Sequence, residues 1–379
     1  MADPGELSAP MMATGAGLRA TSSPALRPPA FQGWAARRWL IVLSAAAAWH
    51  PGAAAALFAL LRRRPALVAH ATAPIIQLVT DRAPDDIAAA VDSALPRYRA
   101  ELLWPAAALA RRVYDTLPAT AGGAQRAHRL DNLGLRLSAL GRWEDAVLAT
   151  TEAVGVYRRL SATNRTAFEP DLARSLNNLS VMLSDGGRHC DALAASTQAV
   201  DIRRRLATVN RTAFEPGLAM ALNNLSVVLS NLSRRAEALS ASTQAVEIYR
   251  RLAATDPAAF EPGLARALTN LGADLSDLGR LPDALIVTTQ AVDIRRQLAA
   301  ANPSAFEPDL ARGLWVFARV RAAGQVELPQ ALTAARESVA LFEGMVQQCP
   351  RVFTGDLRGA RATLSDVLDR LGRGQGVSS

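Results

Sequence analysis

The segment Pro170–Glu215, with the sequence PDLARSLNNLSVMLSDGGRHCDALAASTQAVDIRRRLATVNRTAFE, decides the fold of this chain because the chain repeats it. Closely similar copies begin at Pro216 and Pro262, so the period is about 46 residues. Phe168, Phe214, Phe260 and Phe306 recur at the same interval. A fixed period of this size indicates stacked structural repeats rather than a single globular core. Stacked repeats mostly form binding surfaces, so the period favours a binding function over an enzymatic one.

Each repeat predicts two helices. Leu172, Leu176, Leu179 and Leu183 recur at steps of four, three and four, which places them on one face of a helix. Asp185–Arg188 interrupts this pattern, and a second apolar helix follows it. We expect Asn210–Glu215 to link one unit to the next. Alanines recur at two positions of the second helix: Ala192, Ala238 and Ala284, and Ala199, Ala245 and Ala291. Small side chains let helices approach closely, and a single hairpin cannot bury its apolar face, so neighbouring hairpins must stack.

These residues resemble the tetratricopeptide repeat, most closely the long variety found in kinesin light chains and in bacterial, including actinobacterial, signalling proteins. The resemblance lies in Leu176–Ser180, Leu183, Gly187–Arg188, Ala192 and Ala199. The usual glycine of the first helix appears as Gly134 and Gly272 and is replaced by Ser180 and Ser226. The family's large aromatic residues are absent from both helices: Leu130, Leu176, Leu222 and Leu268 stand in the first, and Thr150, Ser196, Ser242 and Thr288 in the second. The resemblance implies an all-α, right-handed α-solenoid whose first helices line a concave groove.

Four regions are predicted along the chain. Residues 1–33 are rich in Pro, Gly, Ala and Ser, which is typical of a disordered tail. Residues 34–123 predict a separate helical region divided by prolines, and residues 124–354 predict five repeat hairpins. Residues 355–379 predict a capping helix near Asp356–Leu371 and a loose tail from Gly372.

The composition favours a bacterial protein of the cytoplasm. The chain has no lysine, so its 42 basic residues other than histidine are all arginine, and the net charge is +8. Excess arginine and alanine suggest a GC-rich genome. Cys190 and Cys349 lie far apart, which fits a reducing compartment better than a disulfide framework. Trp39–Leu61 is apolar and long enough to span a bilayer, but Trp49–Gly52 interrupts it. A membrane anchor at 39–61 is therefore an alternative that we do not favour.

A ladder of asparagines supplies the candidate binding site. Its members are Asn132, Asn178, Asn224 and Asn270, one repeat apart, with Asn177 and Asn223 beside two of them. Asparagine is a mediocre helix former, so its recurrence at one helical position needs an explanation other than helix propensity. The family resemblance implies that such amides bond the backbone of a bound peptide, since an amide both donates and accepts. Two alternatives stay open: the amides tie neighbouring repeats together, or they descend from a duplicated ancestor without a role. Arg174 and Arg266 lie one turn earlier and either grip a carboxylate or are solvated.

Other chemistry finds little support in the sequence. Arg158, Arg204, Arg250 and Arg296 end the second helices, where cations favour the helix dipole, and Asp201–Arg205 and Glu247–Arg251 have favourable i,i+4 spacing. No aromatic residues interleave with this arginine stripe, so we do not expect nucleic-acid binding. His189–Cys190 has no second pair at metal-ligand spacing, and we expect neither a metal nor a cofactor. Without lysine there is no P-loop, and no HExxH or GxSxG motif occurs, so we expect no enzyme and no small-molecule substrate.

The leading functional prediction is a non-enzymatic scaffold or adaptor that holds a peptide or a partner domain in the groove. A second hypothesis is a regulatory or sensor module that works with a separate ATPase or protease. A third is a membrane-tethered scaffold anchored through 39–61.

Overall fold

The computed structural model describes residues 29–47, 49–96, 99–348 and 350–376. Within these residues the chain is helical and contains no strand. The helices are α1 Pro29–Ala47, α2 Pro51–Arg63, α3 Ala73–Arg82, α4 Asp85–Ala94, α5 Leu103–Asp115, α6 Gly123–Ala139, α7 Trp143–Thr163, α8 Arg165–Asp185, α9 His189–Val209, α10 Arg211–Asn231, α11 Arg235–Thr255, α12 Pro257–Asp277, α13 Leu281–Ala301, α14 Pro303–Gly324, α15 Leu328–Gln348 and α16 Pro350–Gly376. From α6 onward each helix packs on the next, so the prediction of an all-α solenoid is confirmed.

The first helix of a repeat begins earlier than the sequence pattern predicts. The side chain of Asn210 accepts a hydrogen bond from the backbone N–H of Ala213 at 3.0 Å and caps α10, which starts at Arg211. Asn164 caps α8 in the same way through Ala167. The prediction of a linker at Asn210–Glu215 is therefore wrong, because a polar N-cap satisfies a helix N–H group and lets the helix start before the internal proline.

The two helices of a hairpin cross at a point where their side chains are matched in size. A Cβ atom added to Gly272 of α12 would lie 2.3 Å from Cγ2 of Thr288 in α13, and one added to Gly134 would lie 2.2 Å from Oγ1 of Thr150. The two intervening hairpins carry serine at both positions: Ser180 with Ser196, and Ser226 with Ser242. Glycine opposite threonine and serine opposite serine fill the same space, and the serine and threonine side chains are all at most 1 % exposed.

The repeats stack along a curve. The first helices of neighbouring hairpins, from α6 through α8, α10, α12 and α14 to α16, contact one another in turn and approach more closely than the second helices do. Closer spacing along one side of a stack makes that side the inside of the curve. The first helices therefore line the inner face.

The last helix, α16, contacts the region where the repeat stack begins. Val352 and Phe353 at the start of α16 pack against Leu103 and Ala107 of α5 and Leu140 after α6. Helix α16 is longer than predicted and stays helical through Gly376, so the loose tail predicted from Gly372 is not found there; residues 377–379 lie outside the described residues, as does Cys349.

Residues 39–61 do not form one continuous helix. Helix α1 ends at Ala47, the backbone N–H of His50 bonds the carbonyl of Ala46 at 2.8 Å, and α2 begins at Pro51. The helices α1 to α5 share one apolar core that includes Leu40, Leu57 and Ile75. Among the described residues, none of the helices has the length and apolarity to cross a membrane. The predicted disordered tail, 1–33, falls largely outside the described residues, since α1 already begins at Pro29.

Candidate functional site: the inner face of the repeat stack

The asparagine ladder forms hydrogen bonds between neighbouring repeats. Nδ2 of Asn224 donates to Oδ1 of Asn177 at 3.0 Å, and Nδ2 of Asn270 donates to Oδ1 of Asn223 at 2.9 Å. Asn177 and Asn223 are only 4 % and 1 % exposed, so their amides face the next repeat and not the solvent. This is the inter-repeat arrangement that the sequence left open as an alternative.

The outer members of the ladder lie nearer to solvent. Asn224 and Asn270 are partly exposed, and so is Asn132, whose Nδ2 donates to Oδ2 of Asp92 at 2.5 Å. Asn178 is 8 % exposed. A peptide role for these four amides stays a prediction, and for Asn224 and Asn270 it would be shared with the hydrogen bond to the preceding repeat.

Next to the asparagines lies a layer of side chains that the sequence pattern revealed only in part. It combines position 174, 220, 266 or 312 of a first helix with position 157, 203, 249 or 295 of the second helix before it. The four combinations are Arg174 with Tyr157, Met220 with Arg203, Arg266 with Tyr249, and Arg312 with Arg295. Nη2 of Arg174 lies 3.5 Å from the Tyr157 hydroxyl, and Arg266 bonds the hydroxyl of Tyr249. Each of the four combinations, or levels of the layer, thus holds at least one guanidinium. In the level where the first helix has Met220 instead of arginine, the second helix has Arg203 instead of tyrosine.

Carboxylates pair with the first and last of the first-helix arginines but not with the other three guanidiniums of the layer. Arg174 pairs with Asp171 at 2.9 Å, and Arg312 pairs with Asp356 at 2.9 Å. Among the described residues, Arg203, Arg266 and Arg295 have no carboxylate within ion-pair distance. Arg203 donates only to the carbonyl of Pro170 at 3.2 Å.

Arg295 is the most deeply placed of these groups. Its side chain is 3 % exposed, and its Nε and Nη1 atoms are buried without a hydrogen-bond acceptor in the described part of the chain. Burial lowers the pKa of Arg295 to about 10; the carboxylate of Asp309 acts in the opposite direction, and the nearby Arg312 and Arg266 lower it further. The guanidinium is still charged at neutral pH, so a donor-rich cation lies at the inner face without a matching acceptor.

Glycines make room for the middle of the layer. Asp171 and Asp309 in the end repeats correspond to Gly217 and Gly263 in the middle repeats. A Cβ atom at Gly217 would lie 2.9 Å from Cζ of Arg203, and one at Gly263 would lie 2.4 Å from Cε1 of Tyr249. The middle repeats therefore lack both the carboxylate and the side-chain bulk that the end repeats carry at this point.

The curve of the stack brings distant repeats to the same space. Asp185, at the C-terminal end of α8, lies close enough to Arg312 of α14 and Asp356 of α16 to interact electrostatically with both. Asp185 is 127 positions from Arg312 and 171 positions from Asp356 in sequence. The ends of α8, α14 and α16 therefore face a shared space on the inner side of the curve.

The second arginine ladder has a structural role on the outer face. Arg158, Arg204 and Arg250 donate to Gln198, Gln244 and Gln290 of the following repeat at 3.1, 3.1 and 3.3 Å. Arg296 pairs with Glu337 of the following repeat at 2.6 Å.

The predicted i,i+4 pairs, Asp201–Arg205 and Glu247–Arg251, are not formed. Arg205 and Arg251 pair instead with Glu169 and Glu215 of the preceding first helix, at 3.0 and 2.9 Å. Those glutamates lie in the partly buried crevice between helices, where a carboxylate is screened less by solvent than on the open helix surface.

A second concavity, of about 820 Å³, opens on the outer face between α7 and α9. Its apolar wall includes Trp143, Val147 and Leu148. It is open partly because Gly155 stands where the later repeats carry an acidic side chain. Nearby, Cys190 is exposed and free, and the described residues contain no group of three or more His, Cys, Asp or Glu side chains that could hold a metal ion.

Comparison with known proteins agrees with this architecture. The tetratricopeptide repeat family matches residues 172–207, 218–257 and 264–302. Curated proteins gave no significant sequence match. The solved structure of the Rap conjugation gene regulator of plasmid pLS20, in complex with the Phr* peptide, is similar in fold: its TM-score is 0.51 at 12 % identity, covering 92 % of this chain and 97 % of that one.

Two further solved structures match less closely in shape. BtubC (BKLC) from P. vanneervenii has a TM-score of 0.46 at 18 % identity over 65 % of this chain and 90 % of its own. A putative kinesin light chain of Podosopora anserina, with nearly identical TPR-like repeats, has a TM-score of 0.44 at 18 % identity over 59 % of this chain and 97 % of its own. The repeat matches and the stacked hairpins together show that residues 172–302 are built from tetratricopeptide repeats.

Proposed function

We propose that this protein is a non-enzymatic scaffold that holds an extended peptide, or a peptide-like segment of a partner protein, in its inner groove. The single observation that carries the proposal is that, among the described residues, Arg203, Arg266 and Arg295 have no carboxylate partner, and Nε and Nη1 of the buried Arg295 have no acceptor. A buried charge without a partner costs stability, so the retention of Arg295, which is 3 % exposed, favours a ligand that completes its hydrogen bonds.

The chemistry of this layer favours an anionic segment. Arginine presents several N–H donors in a planar fork that matches a carboxylate, and charge-assisted hydrogen bonds are stronger than neutral ones. The three guanidiniums belong to successive levels of the layer, so a ligand with several carboxylates along its length could meet more than one of them. The partly exposed amides of Asn224 and Asn270 lie on the same first helices and could bond the ligand's backbone.

The comparisons support the coarser part of this proposal. The Rap regulator of similar fold was solved with a peptide bound to it. That similarity concerns the fold alone, so the choice of an acidic ligand depends on the arginines of this chain.

A binding measurement with a defined probe tests the proposal. We would titrate the full chain with a fluorescein-labelled peptide of eight glutamates and compare it with the same peptide of eight glutamines. We expect the glutamate peptide to bind and the glutamine peptide not to. Because screening weakens exposed charge interactions, we expect the affinity to fall as salt rises from about 50 to 500 mM.

Matched variants locate the binding. Arg203→Gln, Arg266→Gln and Arg295→Gln together remove three inner charges, whereas Arg158→Gln, Arg204→Gln and Arg250→Gln remove three outer ones. Since hydrogen bonds to charged groups contribute about 1.5–3 kcal/mol each, the inner variant should bind at least a hundredfold more weakly. The outer variant should bind within about twofold of the parent. Equal losses in both variants would show non-specific charge attraction and would refute the groove as the site.

A further inference from the structure

The positive charge of this protein is concentrated near its N-terminus. Between Leu7 and Thr80 there are seven arginines and no Asp or Glu, whereas the whole chain has 42 basic and 34 acidic residues. The rest of the chain is therefore close to charge balance. A region with one sign of charge has a strong attraction for surfaces of the opposite sign.

Helix α1 within this region is apolar on both sides. Leu40 and Ala47 face the core and are 0 % and 2 % exposed. Ile41, Val42 and Ala45 follow the opposite side of the same helix and are exposed. A helix that packs its inner side and still shows an apolar outer side has a face without a partner in the folded chain.

Tryptophans flank this outer face. Trp39 and Trp49 are 65 % and 85 % exposed, and Ile41 and Val42 are 43 % and 53 % exposed. These four residues are a concentrated set, since the described chain has thirteen exposed large hydrophobic residues and four of them fall within residues 39–49. Exposed apolar patches of this kind mark interaction surfaces.

Arginines lie at one end of the same surface. The short connection between Ala47 and Pro51 makes α1 and α2 antiparallel neighbours, so the end of α2 lies beside the first half of α1. Arg62, Arg63 and Arg64 are exposed at that end, and Arg38 of α1 is exposed nearby. Between these arginines and Trp49, the exposed residues of α2 are Pro51, Gly52, Ala55, Ala56 and Ala59, all of them uncharged.

We propose that the outer face of the α1–α2 hairpin binds the surface of an anionic lipid membrane, lying flat on it without crossing it. Tryptophan prefers the boundary between lipid headgroups and acyl chains, and arginine binds the headgroup phosphates. No carboxylate between Leu7 and Thr80 repels an anionic surface, although Arg62 pairs with Asp86 of α4 at 2.8 Å. Arg63 and Arg64, which form no ion pair among the described residues, therefore present the unneutralised charge. Binding of a protein partner would not require exposed tryptophans, arginines and a segment without carboxylates together on one surface. This surface is separate from the groove, so the proposal stands independently of the peptide-binding function.

Sedimentation of the full chain with lipid vesicles tests this proposal. We expect binding to vesicles that contain phosphatidylglycerol and phosphatidylcholine, little binding to phosphatidylcholine alone, and release of the bound protein as salt rises. Each basic residue near an anionic surface contributes about fivefold in affinity, so Arg62→Gln, Arg63→Gln and Arg64→Gln together should weaken binding by roughly a hundredfold. Trp39→Ser should weaken it by roughly tenfold.

Two control variants make the result specific. Trp104→Ser changes a tryptophan that is 67 % exposed but lies on α5, and Arg158→Gln, Arg204→Gln and Arg250→Gln change three exposed arginines of the outer repeat face. Both should bind the vesicles as the parent does, with all variants checked for equal helical content. No binding to phosphatidylglycerol vesicles, or equal losses in the control and hairpin variants, would overturn the proposal. Retained binding by the hairpin variants would do the same and would leave the face to a protein partner.

Discussion

The matched side chains at the hairpin crossing predict a specific coupling between Gly272 and Thr288. We expect Gly272→Ser to be destabilising, because the new Cβ would lie 2.3 Å from Cγ2 of Thr288 and 3.3 Å from Cγ2 of Val287. Ordinary carbon contacts are about 3.5–4.0 Å, so the overlap exceeds an ångström. Overpacking of this kind costs about 1–3 kcal/mol, and the better helix propensity of serine offsets roughly 0.5 kcal/mol of it. The net loss should be about 1–2 kcal/mol.

The second substitution removes the atom responsible. Thr288→Ser deletes Cγ2 and leaves the hydroxyl, which donates to the carbonyl of Ala284 at 2.7 Å. Alone, it should cost about 1 kcal/mol for the lost buried methyl. Combined with Gly272→Ser, it recreates the serine pair that the chain already uses at Ser226 and Ser242. The double variant should therefore be close to the parent in stability, with a coupling energy of about 1–2 kcal/mol.

Thermal and urea unfolding followed by circular dichroism measure this cycle. A loss of about 1–2 kcal/mol corresponds to a fall of roughly 3–6 °C in Tm for a folded unit of this size. Additive losses in the double variant would refute the size-matching explanation, because they would show that Thr288 is not the group that Gly272 accommodates.

Three further predictions follow from buried positions. Burial raises the pKa of Asp274 from 3.8 to about 6, so folding favours its protonated form; the free energy of unfolding should fall as pH rises from about 4 to 7, and Asp274→Asn should remove that part of the pH dependence measured by urea unfolding. Ala238→Arg should unfold or loosen the stack, since Ala238 is 0 % exposed, whereas Arg235→Ala at an exposed site should leave Tm unchanged; equal Tm values would contradict this packing. Asn224→Ala should lower the free energy of unfolding by about 1 kcal/mol, because it deprives Asn177 of its donor, and a larger effect on peptide affinity than on stability would assign the amide to the ligand instead.

The sequence was sufficient for the architecture because a repeated apolar pattern specifies local helices and their nearest neighbours. Leu172, Leu176, Leu179 and Leu183 predicted the inner helix of a hairpin, and the structure places all four in the buried core or at its margin. Helix starts were less predictable. Asn210 as an N-cap and Pro216 as a first helical residue each indicate a different start for the same helix. The hydrogen bond from the backbone N–H of Ala213 to Asn210 shows that the helix begins after Asn210.

The candidate site was predictable only in part. The recurring asparagines were found in the sequence, but their spacing could not distinguish a ligand contact from the bond between Asn224 and Asn177. Arg203 and Arg295 were missed because arginine near the end of a second helix is ordinary in sequence. The equivalent positions 157, 203, 249 and 295 carry Tyr, Arg, Tyr and Arg in turn. This alternation, compared with the residues at the contacting positions of the first helices, could have identified them.

By itself, then, the sequence determined the period, the helical hairpins and the close crossings at small residues, because these depend on neighbours within about one repeat. Only the tertiary structure decided which polar side chains are buried, which arginines lack a carboxylate, and that Asp185 approaches Arg312 and Asp356 across the groove. Those properties depend on the curvature of the whole stack. Small rotations between successive hairpins accumulate into that curvature, and no local sequence pattern records their sum.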